Sequence, residues 1–302
     1  MIKLETITIK EAAEIVGGDE QLFQEMLDKI RQWLQQQLHL PQGISDKQLE
    51  AILLTSKLNL EKAKKRIDSL YTLRTLLPEF FADYDPLCDN VARFHKCMQW
   101  VTLPQLSPEK HRIHIMRWIN NNTSLFHLQD MLKYVFMMLD VRLKEDVMNS
   151  ELVIWDCTNT TFGHILKFSP GLLKKCDLCL EAYGLRIKAI YFMNAPTYID
   201  NLLTMVKLFM NPKLHERMQT LESGVDSLQK ILPKSVLPED YGGEELSMAT
   251  LTDMWFAKVK SERDWLLKQE KLKNNEFLRT DCVINADDLF GVAGTFRKLE
   301  ID

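Results

Sequence analysis

Apolar residues return at helical spacing in "DEQLFQEMLDKIRQWLQQQ". Leu22, Phe23, Met26, Leu27, Ile30 and Leu34 share one face, which predicts an amphipathic helix. Pro41 and Gly43 then break the chain. Over residues 60–77, Leu60, Ala63, Ile67, Leu70 and Leu77 lie on one side, and Asn59 stands where a helix cap is needed. The run "KAKKR" covers the opposite face and reads as a solvated helix surface. Residues 1–95 are therefore read as helical.

From about residue 110 the pattern changes. "HRIHIMRW" alternates as a strand does. "SLFHLQDMLKYVFMMLDV" (124–141) is apolar nearly all round, which predicts a helix buried on more than one side. "ELVIWDCT" (151–158) is a short apolar strand. In "SPGLLKKCDLCLEAYG" a helix has readable ends: Ser169 caps it, Pro170 opens it and Gly184 stands just past its close. "LRIKAIYFM" (185–193) is again a strand. Strand, helix, strand at this spacing predicts a right-handed parallel crossover. The fold class is α/β, with a helical N-terminal domain in front. The expected divisions are 1–95, 96–245 and a C-terminal helix and tail over 246–302.

One helix is unlike the others. In "NAPTYIDNLLTMVKLFMN" (194–211), Asp200, Thr204, Lys207 and Asn211 form a single narrow polar stripe, and the rest is apolar. So wide an apolar arc suits burial in a core, a cover over an apolar cavity, or a helix that moves between a cavity and a membrane. Nearby are four cations. Arg186 and Lys188, two apart on a strand, point the same way. Asn211 can cap a helix opening at Pro212, on which Lys213 and Arg217, four apart, share a face. If strand and helix are neighbours, the four surround one spot suited to a multiply charged phosphate. Downstream, in "LPKSVLPEDYGGEELSM", Pro233 and Pro238 exclude continued helix. Gly242 and Gly243 permit a turn with positive φ or a close backbone approach. Helix resumes in "SMATLTDMWFAKVKSERDWLL".

Composition adds exclusions. The 302 residues carry a net charge of −4, which argues against a general nucleic-acid binder. No apolar run reaches the length of a bilayer span, and the first residues do not read as a signal peptide. The six scattered cysteines read as reduced thiols, including Cys176 and Cys179, a C-x-x-C within a helix pattern. His111 and His114 on one strand point to opposite faces and cannot simply share a metal. His164 reads as a structural histidine. Asp156 ends a strand where α/β proteins place functional groups, but no acid–base or nucleophile–base partner stands at useful spacing. Neither an enzyme nor a metal or cofactor protein is expected.

"ELVIWDCTNTTFGHILKFSP", "LRIKAIYFMNAP" and "LPEDYGGE" together resemble the CRAL-TRIO, or Sec14-like, lipid-binding family, closest to its tocopherol-transfer and retinaldehyde-binding branch. "LNLEKAKKRIDSLYTLRTLLPEFF" resembles the helical domain that precedes it. The tail "DDLFGVAGTFRKLEID" resembles insect members. The resemblance implies an intracellular carrier: a deep apolar pocket, a mobile gate helix at 197–210, and exchange of one hydrophobic molecule at membranes. The ligand is expected to be a tocopherol, retinoid, carotenoid or other isoprenoid. It also implies that Arg186, Lys188, Lys213 and Arg217 bind phosphatidylinositol phosphate headgroups. The chain is expected to be cytoplasmic, peripheral at membranes and monomeric. The expected pocket lining is Ile154, Phe162, Ile165, Leu166, Leu173, Ile187, Ile190 and Phe192, with Ile199, Leu202, Leu203, Val206 and Phe209 from the gate. Two departures stand out. Gly184 replaces a proline usual in relatives, and Ser56 stands where the tocopherol carrier has a headgroup-binding arginine, leaving Lys57 in that stretch. The alternative from another class is a phosphoinositide-sensing scaffold whose pocket is filled by its own side chains.

Overall fold

The computed structural model describes residues 2–222 and 224–280. Six helices come first: α1 (Ile9–Ile15), α2 (Glu20–Gln35), α3 (Asp46–Thr55), α4 (Leu60–Leu76), α5 (Pro78–Phe81) and α6 (Asp89–Cys97). Local chemistry sets their ends. Asp19, Ser45 and Asn59 each accept a hydrogen bond from a backbone N–H of the first turn that has no partner within the helix.

The α/β part runs β1 (Met98–Leu106), β2 (His111–Trp118), α7 (Leu128–Arg142), β3 (Ser150–Asp156), α8 (Phe162–Ile165), α9 (Pro170–Tyr183), β4 (Ile187–Met193), α10 (Ile199–Phe209), α11 (Pro212–His215) and β5 (Met218–Leu221). Then come α12 (Gly224–Ile231), α13 (Met248–Ser261) and α14 (Arg263–Gln269). The sheet order is β1-β2-β3-β4-β5; β1 is antiparallel to β2 and every other pair is parallel. The fold is thus α/β, with a mainly parallel sheet behind a helical N-terminal region. The tail "DDLFGVAGTFRKLEID" and Cys282 lie outside the described residues.

β1 is not anticipated from the pattern. It is largely buried on both faces, so it lacks alternation, and it holds Pro104. An edge strand tolerates a proline because one row of its backbone groups pairs with no neighbour. The helix read from residue 194 starts only at Ile199, after a turn in which Asn194 adopts φ 54°. The helix opening at Pro212 is a single turn. The chain enters β5 at Met218, so Arg217 lies beyond the helix that was to carry it with Lys213.

Two ties set the parts against one another. Asp140 on α7 accepts hydrogen bonds from Arg74 Nη1 (2.8 Å), Tyr84 Oη (2.9 Å) and Tyr183 Oη (2.8 Å), all buried. These bonds lock α4 against α7 and α9. Three donors satisfy Asp140, whereas Arg74 Nε and Nη2 have no hydrogen-bond partner, and removing one member of a buried charge pair is costly. At the far end, Gly242 takes φ 68° and a Cβ on Gly243 would stand 1.9 Å from the Leu237 carbonyl oxygen. Both glycines are therefore needed, one for conformation and one for space.

Candidate functional site: an apolar cavity beside a basic cleft

Helices α7, α9 and α10 lie on one face of the sheet and enclose an apolar cavity of about 170 Å³. Strand alternation selects its floor. Met116 on β2, Val153 and Trp155 on β3, and Ile190 and Phe192 on β4 face inward. Ile187 also faces in, although three residues from Ile190. The register slips by one between Glu151↔Ile187 and Leu152↔Ala189, which restores its side to the cavity. Leu173 of α9 and Leu202 and Val206 of α10 complete the roof.

The remaining expected lining residues lie elsewhere. Ile154 alternates with Val153 and Trp155, so it is buried on the opposite face of the sheet. Ile165 and Ile199 are buried outside the cavity, and Leu203 is half-buried on the flank of α10. Phe162 and Leu166 on and just after α8, and Phe209 with Leu208 at the end of α10, face solvent; Leu166 is 68 % and Leu208 70 % exposed. The polar stripe Asp200, Thr204, Lys207 and Asn211 is exposed as well. Sequence reasoning missed α7 as a wall, together with five lining methionines: Met116, Met131, Met138, Met210 and Met218. Methionine is unbranched and adapts to different shapes. Five aromatic residues also crowd in, and Trp155 packs against Phe168 (5.6 Å) and Phe192 (5.4 Å).

Next to the cavity lies a wider cleft of about 830 Å³ between α4, α9, β4 and α11. Arg186, Lys188, Lys213 and Arg217 all line it. Arg217 is held by donating Nη1 to the Ile187 carbonyl (2.5 Å), and Ile190 N–H donates to the Arg217 carbonyl (2.8 Å). Four further cations come from the N-terminal region: Lys57, Lys62, Lys65 and Arg66. Lys62 and Lys65 of the "KAKKR" run are exposed to solvent, and with Arg66 they also line the cleft, because the Asp140 tie presses α4 against α9. The signal for this was the i, i+3, i+4 spacing of Lys62, Lys65 and Arg66. Lys57 sits with Leu58 in a left-handed pair (φ 58° and 56°), a conformation that costs a non-glycine residue about 1–2 kcal/mol.

Asp177 and Glu181 are the only carboxylates among the residues lining the cleft. Burial, then the charges of Arg66, Lys57 and Lys213, lowers the pKa of Lys62. Burial likewise lowers Arg66, against the pull of Glu181, and it lowers Arg186. Cations are crowded and incompletely neutralised, as an anion site requires. The two sequence departures meet here. Arg66 Nη1 donates to Ser56 Oγ (3.0 Å), and a Cβ at Gly184 would stand 2.5 Å from the Arg66 guanidinium carbon. Small residues at both positions make room for that arginine.

Other candidates resolve as structure. Asp156 is buried and accepts from Thr158, Asn194 and Tyr241, which ties the ends of β3 and β4 to the exit turn. His164 Nδ1 accepts from Thr161 N–H (3.1 Å) and caps α8. His111 Nδ1 lies 2.7 Å from Ser150 Oγ. Burial pushes the Cys176 thiol up to about 12 and raises Cys179 well above its usual value, so neither is a ready thiolate. Among the described residues no cluster suits a metal, and no helix is long and apolar enough to cross a membrane.

Residues 98–243 match the CRAL/TRIO domain, and residues 19–91 match the Pinta-like, UBA domain. The chain is 23 % identical over 239 residues to the human alpha-tocopherol transfer protein-like protein, covering 76 % of this chain and 67 % of that one. It is 26 % identical over 144 residues to rat clavesin-2, covering 47 % and 44 %. Among solved structures it is similar to that titled "Crystal structure of Sfh5", with a TM-score of 0.50 and 13 % identity over 82 % of this chain and 93 % of that chain, a likeness of fold.

Proposed function

We propose that this chain, which carries a CRAL/TRIO domain and so the fold of a lipid-binding and lipid-transfer family, is a carrier for one hydrophobic small molecule. The ligand class is a tocopherol, retinoid, carotenoid or other isoprenoid, exchanged at membranes that display phosphatidylinositol phosphates. The observation that carries this reading is the shared wall. Leu180, Leu185, Ile187 and Leu214 line both the apolar cavity and the basic cleft.

Burying a ligand here is driven by removing apolar surface from water, about 25 cal/mol per Å² before entropic costs. At about 170 Å³ the cavity is smaller than the roughly 300–1,000 Å³ of ordinary ligand sites. Filling it requires movement of the methionines and of α10, whose Leu202 and Val206 form the roof. Exposed Phe162, Leu166, Leu208 and Phe209 offer an apolar face to a bilayer, which lowers the cost of displacing α10. Four cations, Arg186 just before β4, Lys188 on it, Lys213 on α11 and Arg217 just after, attract the anionic surface. A headgroup in the cleft favours the open, docked state to the extent that it binds that state better.

A second reading has its own observation. The aromatic crowding and small volume suit a phosphoinositide-sensing scaffold whose pocket is filled by its own side chains. One experiment separates them: native mass spectrometry of the purified protein, before and after incubation with tocopherol, retinoid and carotenoid, with vesicle-to-vesicle transfer of whatever binds. The carrier retains a lipid and delivers it faster to vesicles containing phosphatidylinositol bisphosphate. In Lys213→Ala/Arg217→Ala that acceleration is lost. Consistent absence of any bound lipid selects the scaffold. Unchanged transfer in the double variant removes the headgroup role.

A further inference from the structure

The apolar cavity has one polar corner, lined by His114 of β2, Glu151 of β3 and Arg142 of α7, whose two terminal nitrogens are taken by Asp146 and Glu151. His114 is 4 % and Glu151 3 % exposed. The corner is anchored by a buried ion-pair chain. Arg112 and Arg142 both hold Asp146, at 2.7 and 2.6 Å, and Arg142 Nη2 also donates to Glu151 Oε1. On the other side, Thr102 Oγ1 lies 2.9 Å from His114 Nδ1. His114 Nε2 is left without a hydrogen-bond partner. It faces Glu151 Oε2 at 3.7 Å, beyond hydrogen-bonding distance.

Burial, with Arg142 and Arg112 close by, pushes the His114 pKa well below its usual value, so the ring is neutral. A lone pair on Nε2 aimed at a carboxylate would be repelled. The proton therefore sits on Nε2, and Thr102 donates its hydroxyl hydrogen to Nδ1. The corner thus holds one donor and one acceptor, side by side, at the end of an otherwise apolar space, with the unpartnered Nε2 covered until a ligand displaces its neighbours.

We infer that the cavity selects an apolar ligand ending in a hydroxyl group, which donates to Glu151 Oε2 and accepts from His114 Nε2. This rests on the carrier reading and names the chemistry of its cargo. A ketone or aldehyde satisfies His114 but sets its lone pairs against the carboxylate. An ether or hydrocarbon leaves the acceptor without a hydrogen. A carboxylic acid brings a second anion against Glu151. A site built for a hydroxyl discriminates strongly against an analogue that lacks it, because its own buried polar groups are then unpaired.

The test uses the full chain and matched pairs: retinol, phytol, geranylgeraniol and α-tocopherol, each offered from neutral vesicles in equal amount with its methyl ether. The protein is re-isolated and the bound compounds are quantified by mass spectrometry. For any pair taken up, the alcohol is retained over the ether by roughly 10- to 100-fold. In His114→Phe the ratio falls to within about twofold, and in His114→Gln, whose amide N–H stands near the Nε2 position, the preference returns. Equal uptake of alcohol and ether by the wild type overturns the inference and leaves the carrier reading standing. Uptake of no member of any pair overturns both. Should His114→Phe not fold, as read by thermal melting, the wild-type ratio and His114→Gln decide.

Discussion

The apolar cavity and the basic cleft meet across four side chains, yet they are assembled in opposite ways. The cavity is made within the α/β part by three helices converging on one sheet face, and alternation along each strand decides which residues reach it. The cleft is made at a seam. Half of its cations come from β4 and the α10–β5 connection, and the other half from α4 and the turn before it. The cavity is small and closed over by an apolar helix. The cleft is several times larger and lined by charge. An apolar space is gained by exclusion, so side chains relax into it when it is empty. A cluster of like charges resists collapse and stays open to solvent.

The largest expected effect separates the two regions outright. Replacing Arg186, Lys188, Lys213 and Arg217 together by alanine removes four cations, each worth about 1 kcal/mol near an anionic surface, so binding to phosphatidylinositol bisphosphate vesicles falls on the order of a thousandfold. Retention of a hydrophobic ligand in lipid-free solution stays unchanged, and a parallel fall in retention breaks the distinction. The converse is Val206→Trp, which fills the cavity from its roof. Ligand retention drops at least about tenfold for an overpacking cost of about 1–3 kcal/mol, while vesicle co-sedimentation holds. Arg66→Ala tests whether α4 truly shares the cleft. Headgroup binding by titration calorimetry weakens roughly tenfold, about 1.4 kcal/mol, and a solvated helix face would give no change. Smallest is Gly184→Ala. Its φ of 72° and the Arg66 guanidinium in its path cost about 1–2 kcal/mol in urea unfolding, with a slight loss of headgroup affinity as Arg66 is displaced.

How much of this was legible in the sequence depended on how local the determinant was. Helix α9 was readable to its ends because Ser169, Pro170 and Gly184 each act on their own turn. The parallel pairing of β3 and β4 followed from the crossover between them. The cavity lining was legible only where strand parity and helix face agree, as at Leu173, Ile190, Phe192, Leu202 and Val206. Ile154 is equally apolar but of the other parity, and its destination depends on which sheet face carries the helices. Arg186 and Lys188 both reach the cleft, but Arg186 stands just before β4 and Lys188 sits in the register slip, so regular strand spacing is not what brings them there. Lys213 and Arg217 reach the cleft by a route other than a shared helix face. Lys62 and Arg66 depend on a contact set far away, by Arg74 on Asp140, which no local pattern contains.

The four residues of the shared wall carry one more consequence. Any free energy by which a headgroup in the cleft disfavours a ligand in the cavity must act with equal size in reverse. A loaded chain then holds membranes less tightly than an empty one by the same factor. Leu180, Leu185, Ile187 and Leu214 are the residues at which the two spaces touch. On the proposed carrier reading, such coupling would let the empty chain linger at the bilayer and the filled one depart, while the direction of net transport is set by the difference in ligand concentration between two membranes.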